Sequence, residues 1–237
     1  MKVLINHLTR MQPPCICTAG VDLETRRHVR PLFLTGAPTT FFLARHGGPI
    51  DFANVVDLGV PRAAPKPPHV EDHIIHPEQV KKERTAAPEE FWAVLEFVCR
   101  PTLRDIFGAD LMRLGGSRFG TMRGKGTVSL GCLHPRLAPR LFIAPDRAGK
   151  PRIRARFTDG EIEADAAVTD IRFYGADHAT PDETLVTDLA RSLVAPADII
   201  LCVGLTREFT ASAQAGPRHW LQVTGIHRRE QPVWQLG

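Results

Sequence analysis

The sequence predicts an all-β protein with accessory helices, arranged as two tandem small barrels. Many short apolar runs are separated by turn residues, and only one or two segments in each half have helical spacing. Successions of this kind are typical of small Greek-key barrels. The chain has 237 residues, enough for two domains of about 100–120 residues each. We expect a first barrel over 1–100, a basic Gly-rich connector over 101–126, and a second barrel with an inserted helix over 127–237.

In the first half, strand signals precede the first helix signal. Apolar and β-branched runs predict strands, the second and third forming a hairpin, at 3–5, 15–21, 28–34, 41–43 and 50–58. Four prolines between Pro61 and Pro68 predict an extended connector. A helix is expected from Thr85 or a neighbour, because Pro88 suits a first turn and the apolar residues after it recur at helical spacing. The pattern allows a second helix over 102–114.

The second half contains a hairpin whose register the sequence predicts. Two runs alternate charged and apolar residues on either side of Asp159-Gly160, a strong hairpin-turn signal. A two-residue turn places Arg156 opposite Glu163 and Arg154 opposite Asp165. The apolar residues of both runs then share the other face, toward the core.

The other signals of the second half are one helix and four strands. The helix is expected over 181–194, with Thr180 as its N-cap and Glu183 completing a capping box. The strands are expected at 127–130, 141–143, 199–203 and 220–226.

An eight-residue segment occurs in two copies. Residues 3–10 align without gaps with 200–207, and four of the eight positions are identical, including the whole Leu-Thr-Arg ending. Each copy is predicted to be a buried strand with Thr and Arg at its end. Two related barrels, or two walls of one site, would explain why this strand occurs twice. The functional interpretation is that the guanidinium groups of Arg10 and Arg207 each bind a phosphate through two hydrogen bonds. The alternatives are that each arginine pairs with an internal carboxylate, or that the similarity is chance.

Six short motifs follow one another along the chain. They are His7-Leu8-Thr9-Arg10-Met11, Cys17-x-x-Gly20-x-Asp22, His28-Val29-Arg30-Pro31, Pro67-Pro68-His69-x-Glu71-Asp72, Gly204-Leu205-Thr206-Arg207 and Trp220-Leu221-Gln222-Val223-Thr224-Gly225-Ile226. In order and spacing they resemble the dual OB domain family. The resemblance implies two tandem OB-like barrels, of a kind found in prokaryotic defence and mobile-element systems, with nucleic-acid binding inferred from the fold. It carries over no catalytic residue, and a fold alone does not establish function.

Positive charge is concentrated in the middle of the chain. The whole chain has 30 Lys plus Arg and 26 Asp plus Glu, a formal net charge of +4. Residues 101–156 hold 12 of the basic and 3 of the acidic residues, and such an excess indicates an anionic partner. A GC-rich genome is an equally good explanation for the abundance of arginine itself.

A Gly-rich loop over 115–126 is the strongest nucleic-acid candidate in the sequence. It combines three cations with Phe119, whose ring is expected to stack on an unpaired base. The alternative is a solvated linker between barrels. The expected nucleic-acid-binding residues are Arg10, Arg113, Arg118, Phe119, Arg123, Lys125, Arg136, Arg140 and Arg207.

Signals for metal binding and nucleophilic catalysis are weak. His69, His73 and His76 would share a helical face, but prolines flank them and no further Cys or His completes a zinc pattern. Cys15 and Cys17 do not have zinc-knuckle spacing, and no nucleophile motif occurs. We therefore expect structural roles for these five residues, no metal, no cofactor and no catalytic residue.

Composition excludes several classes of protein. The chain is 43% hydrophobic and 24% charged, which is ordinary for a globular protein and unlike a disordered one. No apolar run approaches the roughly 20 residues of a membrane helix, so no membrane association is expected. Without a secretory signal or a disulfide framework, the chain is expected to be cytoplasmic.

The leading functional interpretation is a non-catalytic nucleic-acid-binding protein. Single-stranded DNA or RNA is favoured, because OB-like sheets offer a groove and stacking platforms. A protein partner is expected within a larger defence or mobile-element assembly. One alternative is a scaffold subunit that docks an effector without touching nucleic acid, and another is an enzyme acting on nucleic acids or nucleotides.

Overall fold

Two curled β-sheets form the framework of the computed structural model, which describes residues 1–146, 148–209 and 216–236. The strands of the first sheet are β1 (Lys2–Arg10), β2 (Ile16–Asp22), β3 (His28–Leu32), β4 (Asn54–Asp57), β5 (Arg62–Ala63), β6 (Asp72–Ile74) and β7 (Lys81–Thr85). Their spatial order is β5-β6-β3-β2-β1-β4-β7. The expected hairpin of the second and third strands is confirmed, since β2 and β3 pair antiparallel.

The second sheet is built from the later part of the chain. Its strands are β8 (Met112–Gly115), β9 (Arg118–Met122), β10 (Leu130–Leu133), β11 (Arg140–Pro145), β12 (Pro151–Thr158), β13 (Glu163–Val168), β14 (Ile199–Leu205) and β15 (Arg218–Arg228). The main path runs β10-β14-β15-β13-β12-β11, and the β8–β9 pair joins through β15. The all-β class is therefore confirmed.

Helices are accessory, as the sequence predicts. They are α1 (Pro88–Val98), α2 (Leu103–Phe107), α3 (Glu183–Ser192) and short 3-10 turns at Thr40–Phe42, Ala44–His46, Pro77–Gln79, Ile171–Phe173 and Pro196–Asp198. The expected first helix is confirmed, with Pro88 in its first turn. The strand predicted at 41–43 is wrong, because that segment belongs largely to a 3-10 turn.

Two predicted helix boundaries are wrong because of local capping. The segment 102–114 does not form one helix, since Gly108 has φ 72° and ends α2. The N-cap of α3 is Asp182 and not Thr180: Asp182 Oδ1 accepts a hydrogen bond from Leu185 N at 2.9 Å. The Thr180 hydroxyl instead donates to Asp177 Oδ2 at 2.6 Å.

The two sheets share an apolar layer covered by α1. Leu4 of β1 and Ile200 of β14 are both fully buried, and they belong to one cluster with Phe91 and Leu95 of α1. These four side chains place the two copies of the repeated segment in one core. Burial of such side chains is worth about 1.5–3 kcal/mol each, so this layer holds the two sheets together.

The predicted register of the β12–β13 hairpin is wrong by two residues. Arg156 lies opposite Asp165, and Thr158 lies opposite Glu163. The predicted faces are nevertheless confirmed, because Arg154 Nε donates to Asp165 Oδ1 at 2.6 Å on the outer face.

A side-chain cap explains the shift in register. Asp159 Oδ1 accepts hydrogen bonds from the backbone amides of Glu161 and Ile162 at 2.9 and 2.7 Å. The connection therefore spans residues 159–162 and not the two residues of a tight turn. Asp159 Oδ2 also accepts from Leu103 N at 2.7 Å, so the turn is fixed to the start of α2.

The segment 101–126 is not an irregular connector. It contains α2 and the β8–β9 hairpin, and β9 pairs with the first residues of β15. At Gly120 an added Cβ would lie 2.1 Å from His219 O, so this close pairing requires glycine. The domain boundaries at 100 and 126 stay predictions.

Residues 233–236 return from the second sheet to the first half of the chain. Gln235 Nε2 donates to Phe52 O at 2.7 Å, and Leu236 N donates to the Asp51 carboxylate at 3.2 Å. Arg172 lies between these regions, with its guanidinium 3.8 Å from the Phe52 ring centroid and 4.6 Å from that of Trp234. The last described residues thus join both halves.

Candidate functional site

The two copies of the repeated segment end at one cavity between the sheets. The cavity has a volume of about 340 Å³ and is lined by Thr9 and Arg10 from the first copy and by Thr206 and Arg207 from the second. We call it the cleft. Both strands of the repeat are buried, as expected. Arg10 ends β1, whereas Arg207 lies two residues beyond β14, so the two copies form two walls of one site without matching in detail.

Arg10 is held in the cleft without a carboxylate. Its Nη1 donates to His178 O at 2.9 Å, and its guanidinium carbon lies 4.5 Å from the centroid of the Tyr174 ring. Its Nε is buried and has no hydrogen-bond partner among the described residues. Within that part of the chain no acidic side chain forms an ion pair with it, so Arg10 leaves an uncompensated positive charge at the cleft wall.

Arg207 has the opposite surroundings. Its Nη1 and Nη2 donate to Asp72 Oδ2 and Oδ1 at 2.6 and 3.0 Å. The structural alternative, in which a repeat arginine pairs with an internal carboxylate, therefore describes Arg207 and not Arg10. About two fifths of the Arg207 side chain, 42%, is still exposed, so this guanidinium also faces the cleft.

A second guanidinium shares the same carboxylate. Arg30 lines the cleft, is 3% exposed, and donates from Nη1 to Asp72 Oδ1 at 3.1 Å and from Nη2 to Ser129 Oγ at 2.9 Å. Asp72 offsets one of these two charges, and the buried Glu71 carboxylate accepts a hydrogen bond from the same Ser129 Oγ at 2.8 Å. The uncompensated positive charge at the cleft therefore comes from Arg10, with the partly exposed Arg207 guanidinium beside it.

The imidazole beside Arg30 is kept neutral. His69 Nδ1 lies 3.0 Å from Arg30 Nη1, which requires that nitrogen to accept the hydrogen bond. Burial, followed by the charges of Arg30 and Arg207, lowers the pKa of His69 to about 2. A neutral imidazole satisfies the arginine without adding to the positive charge.

An exposed aromatic ring lies at the rim of the cleft. Phe209 lines the cavity and is 60% exposed. Proteins that bind single strands combine an exposed aromatic ring, on which an unpaired base stacks, with a positively charged groove.

The rim continues into the β8–β9 hairpin and the turn after it, residues 112–126, which we call the basic hairpin. Arg118 lies 5.5 Å from the Trp220 ring centroid, and Trp220 N donates to Thr206 Oγ1 at 2.9 Å. Arg123 pairs with Glu208, another residue of the cleft wall, at 3.3 Å. The cleft and the basic hairpin thus form one continuous surface.

This arrangement coincides with a match to a known family. The model of the dual OB-containing domain family matches residues 1–226 of the chain. The chain belongs to this family. No curated protein and no solved structure matches the chain at a significant level.

The dual OB chain has no helix, within the described residues, that is long and apolar enough to cross a membrane.

The basic hairpin of this dual OB protein differs from the predicted Gly-rich loop. Arg113, Arg118, Arg123 and Lys125 are exposed, as a binding role requires. Phe119 is 6% exposed and belongs to the core of the second sheet, so the expectation that its ring stacks on a base is wrong. The ring faces inward because β9 alternates, and the Arg113 guanidinium lies 5.5 Å from its centroid.

Two predicted residues lie away from the cleft. Arg140 is on β11, the edge strand three strands from β15, where it pairs with Arg156. Arg136 is on the loop before β11, and its backbone amide donates to Thr158 O at 2.6 Å. Both are exposed, but their contacts place them at the β12–β13 turn and not at the cleft.

Sequence reasoning missed Arg30 and Phe209, which line the cleft, and Asp72, which pairs with its arginines. Arg30 and Asp72 lie inside motifs that carry the family resemblance, and Phe209 follows the second Leu-Thr-Arg copy by two residues. Their position next to a recognised motif was a usable signal. What the sequence did not contain was the pairing of Asp72 with an arginine 135 residues away.

The histidines and cysteines weighed as metal ligands are dispersed. His69 contacts Arg30, His73 Nδ1 lies 2.8 Å from Glu71 O, and His76 lies 3.4 Å from Glu78. His73 is on β6, so no helical face joins the three. Cys15 and Cys17 are half-buried free thiols. These positions are consistent with the structural roles expected for them.

A larger cavity of about 660 Å³ lies elsewhere on the dual OB fold. It is lined by arginines and by carboxylates, among them Arg26, Arg100, Asp22 and Asp105. None of the predicted nucleic-acid-binding residues lines it, whereas Arg10 and Arg207 both line the cleft. The cleft is therefore the better candidate for an anionic ligand.

Proposed function

We propose that this dual OB protein binds single-stranded nucleic acid through the cleft, without catalysing a reaction, as one subunit of a prokaryotic defence or mobile-element assembly. The observation that carries the proposal is that both arginines of the repeated segment line one cavity, with the exposed Phe209 ring at its rim.

Each part of the cleft has a role in this proposal. Arg10 supplies a fixed guanidinium for a phosphate, because its ring and carbonyl contacts hold it while its charge stays uncompensated. The partly exposed Arg207 guanidinium, which Asp72 holds in place, supplies a second position for a phosphate. Phosphate contacts fix the register of a strand but carry no sequence information, so binding is expected to tolerate many sequences.

Single strands are favoured over duplexes because of the aromatic ring. Stacking on Phe209 requires an unpaired base, and each such contact is worth about 1–3 kcal/mol. The exposed cations of the basic hairpin, next to the rim, extend the positive surface along which the backbone of a strand would run.

The first test is binding to a short oligonucleotide as a function of salt. Fluorescence anisotropy with labelled DNA and RNA single strands of about 10 nucleotides is expected to show log affinity falling linearly with log salt. Each phosphate contact on a single strand contributes about 0.7 to that slope. If no DNA or RNA strand binds in a salt-dependent way, the proposal fails and the protein-docking alternative takes its place.

Arg10→Ala tests the cleft itself. The variant is expected to weaken binding and to lower the salt slope by about 0.7, since one phosphate contact is lost. Arg191→Ala is the matched control: it removes an arginine that is 76% exposed on α3, paired with Asp188, and should leave both quantities unchanged. Equal effects of the two substitutions would show that only net charge matters.

The basic hairpin is tested by a triple substitution. Replacing Arg118, Arg123 and Lys125 with Ala is expected to reduce the salt slope by up to about 2, about equally for all sequences. If the triple variant abolishes binding while Arg10→Ala has no effect, the hairpin and not the cleft is the interface. Recovery of the oligonucleotide intact after incubation with divalent cations checks the non-catalytic part of the proposal.

A further inference from the structure

A cluster of metal-ligating side chains lies between the two sheets, apart from the cleft cations. One nitrogen of His7, one of His28 and the Cys132 sulfur lie within 4.8 Å of one another. The three residues come from β1, the start of β3 and β10, so the first and second sheets both contribute. None of the three was expected from the sequence to bind a metal.

The His7 ring is oriented as a ligand would be. Its Nδ1 lies 2.7 Å from Thr224 Oγ1, whereas its Nε2 is buried without a hydrogen-bond partner among the described residues. The whole residue is 2% exposed. An unsatisfied buried imidazole nitrogen is costly. A hydrogen bond from the other ring nitrogen to a neighbour is the usual companion of a metal-bound histidine.

We propose that His7 Nε2, the His28 imidazole and Cys132 Sγ bind a zinc-class divalent cation, with Cys202 Sγ within reach as the fourth ligand. Cys202 Sγ lies 3.4 Å from Cys132 Sγ, and His28 Nε2 lies 3.9 Å from Cys132 Sγ. In a tetrahedral zinc site, neighbouring ligand atoms are about 3.5 Å apart. Small side-chain rotations therefore complete the site. Two imidazoles with thiolate select zinc-class ions over magnesium or calcium.

The protonation states of the ligands are compatible with this site. Burial lowers the pKa of His7 well below its usual value, and burial together with Arg30 and Arg100 lowers the pKa of His28 to about 4. Both imidazoles are therefore neutral and have a free lone pair. Burial raises the pKa of Cys132, so its thiol is protonated when no ion is bound, and an ion binds by displacing that proton.

The surroundings supply hydrogen bonds and access. Asn6 Nδ2 donates to the sulfurs of Cys132 and Cys202 at 3.4 and 3.5 Å, which would stabilise thiolate charge. His28 is only partly buried and lines the open 660 Å³ cavity together with Gly131. An ion therefore reaches the cluster from that cavity. Because the ligands come from both sheets, the bound ion would fasten the sheets to each other.

The test is metal titration of the purified full chain under reducing conditions. One equivalent of Co²⁺ is expected to bind and to give a thiolate-to-cobalt charge-transfer absorption, which requires a cysteine ligand. Zn²⁺ should displace the Co²⁺ and raise the thermal midpoint of the wild type, while Mg²⁺ should not. Absence of stoichiometric Co²⁺ and Zn²⁺ binding overturns the proposal.

Substitutions locate the site. Cys132→Ser and His28→Gln are expected to lose the charge-transfer absorption and to weaken Co²⁺ binding at least tenfold. Cys99→Ser is the matched control, since Cys99 is a half-buried free thiol whose backbone bridges to Cys132, and it should keep the absorption. His28 is the less buried ligand, so its variant decides the matter if Cys132→Ser does not fold. Full absorption in His28→Gln contradicts the assignment.

A disulfide is the competing chemistry for the two sulfurs. Mass spectrometry of protein alkylated in denaturant, without prior reduction, distinguishes a disulfide from two metal-binding thiols. Five alkylated cysteines, the number in the chain, agree with a thiolate metal site. A Cys132–Cys202 disulfide in native protein that binds no metal after reduction overturns it. These outcomes do not depend on nucleic-acid binding.

Discussion

The cleft and the basic hairpin are adjacent and both positive, but they hold their charge differently. In the cleft, Arg10 and Arg30 are fixed by rings, carbonyls and a shared carboxylate. On the basic hairpin, Arg113, Arg118 and Lys125 are exposed. Arg113 and Arg118 lie over rings at 5.5 Å, but in the described part of the chain none of the three forms an ion pair. Buried, hydrogen-bonded cations position a ligand, whereas exposed cations attract it over a distance. The basic hairpin is therefore suited to attracting an anionic ligand, and the cleft is suited to positioning it.

The largest difference is expected in stability. Asp72→Ala would leave Arg30, a 3% exposed cation, without its carboxylate. Breaking such a buried pair costs about 3–5 kcal/mol, and urea unfolding measures it. Glu208→Gln is the control, since it breaks an exposed pair with Arg123 and should cost less than about 1 kcal/mol. Equal losses would mean that the cleft arginines are no more fixed than those of the hairpin.

Phe119 is a core residue of the basic hairpin. Its substitution should lower stability, as Asp72→Ala does in the cleft, whereas substitution of the exposed residues beside it should not. Phe119→Ala is expected to lower the free energy of unfolding by about 3–5 kcal/mol, because the ring is 6% exposed in the second core. Circular dichroism during denaturation tests this. A variant of wild-type stability that binds oligonucleotide more weakly would instead restore the stacking role that the sequence suggested.

Lower pH should reduce the free energy of unfolding through His69, which contacts Arg30 of the cleft. His69 has a pKa of about 2 in the folded chain, lowered mainly by burial, against an ordinary value near 6.5 in the unfolded chain. Between these values the unfolded chain binds the proton, so stability falls as the pH falls below 6.5. The slope is about 1.4 kcal/mol per pH unit. Denaturation of wild type and His69→Gln between pH 6.5 and 5 should show a shallower fall in the variant, and parallel curves would contradict this.

The smallest expected effect separates stacking from charge. Phe209→Ala should weaken oligonucleotide binding by about 1–3 kcal/mol without changing the salt slope, because stacking releases no counterions. Phe41→Ala is the matched control, since Phe41 is 78% exposed and does not line the cleft. Both variants should keep the wild-type thermal midpoint. A change of salt slope in Phe209→Ala would indicate that the substitution disturbs the neighbouring cations.

Local pattern was sufficient for most strands and for the class of the fold. The alternation around Asp159-Gly160 gave the two strands and their faces correctly, because side-chain direction follows from the strand period alone. It did not give the register, because Asp159 caps its own turn and lengthens the loop. A side-chain hydrogen bond of this kind competes with the turn that the dipeptide favours.

The contacts inside the candidate site could not be predicted from the sequence, because they join residues that are far apart along the chain. The repeat correctly indicated that Arg10 and Arg207 belong together, but it predicted the same role for both. The structure separates them, since one meets a ring and a carbonyl and the other meets Asp72. Glycines at 115–126 resembled a loop, and the strand is revealed by the pairing of Gly120 with β8 and with β15. Such distinctions arise in tertiary packing.

The return of residues 233–236 to the first half has a consequence for synthesis on the ribosome. Phe52 and Asp51 are bound by Gln235 and Leu236, which emerge almost two hundred residues later. The first half of the chain therefore cannot complete its contacts while the rest of the chain is being made. We expect nascent chains arrested before residue 233 to remain sensitive to protease within the first half, and chains extended through residue 236 and released to lose that sensitivity.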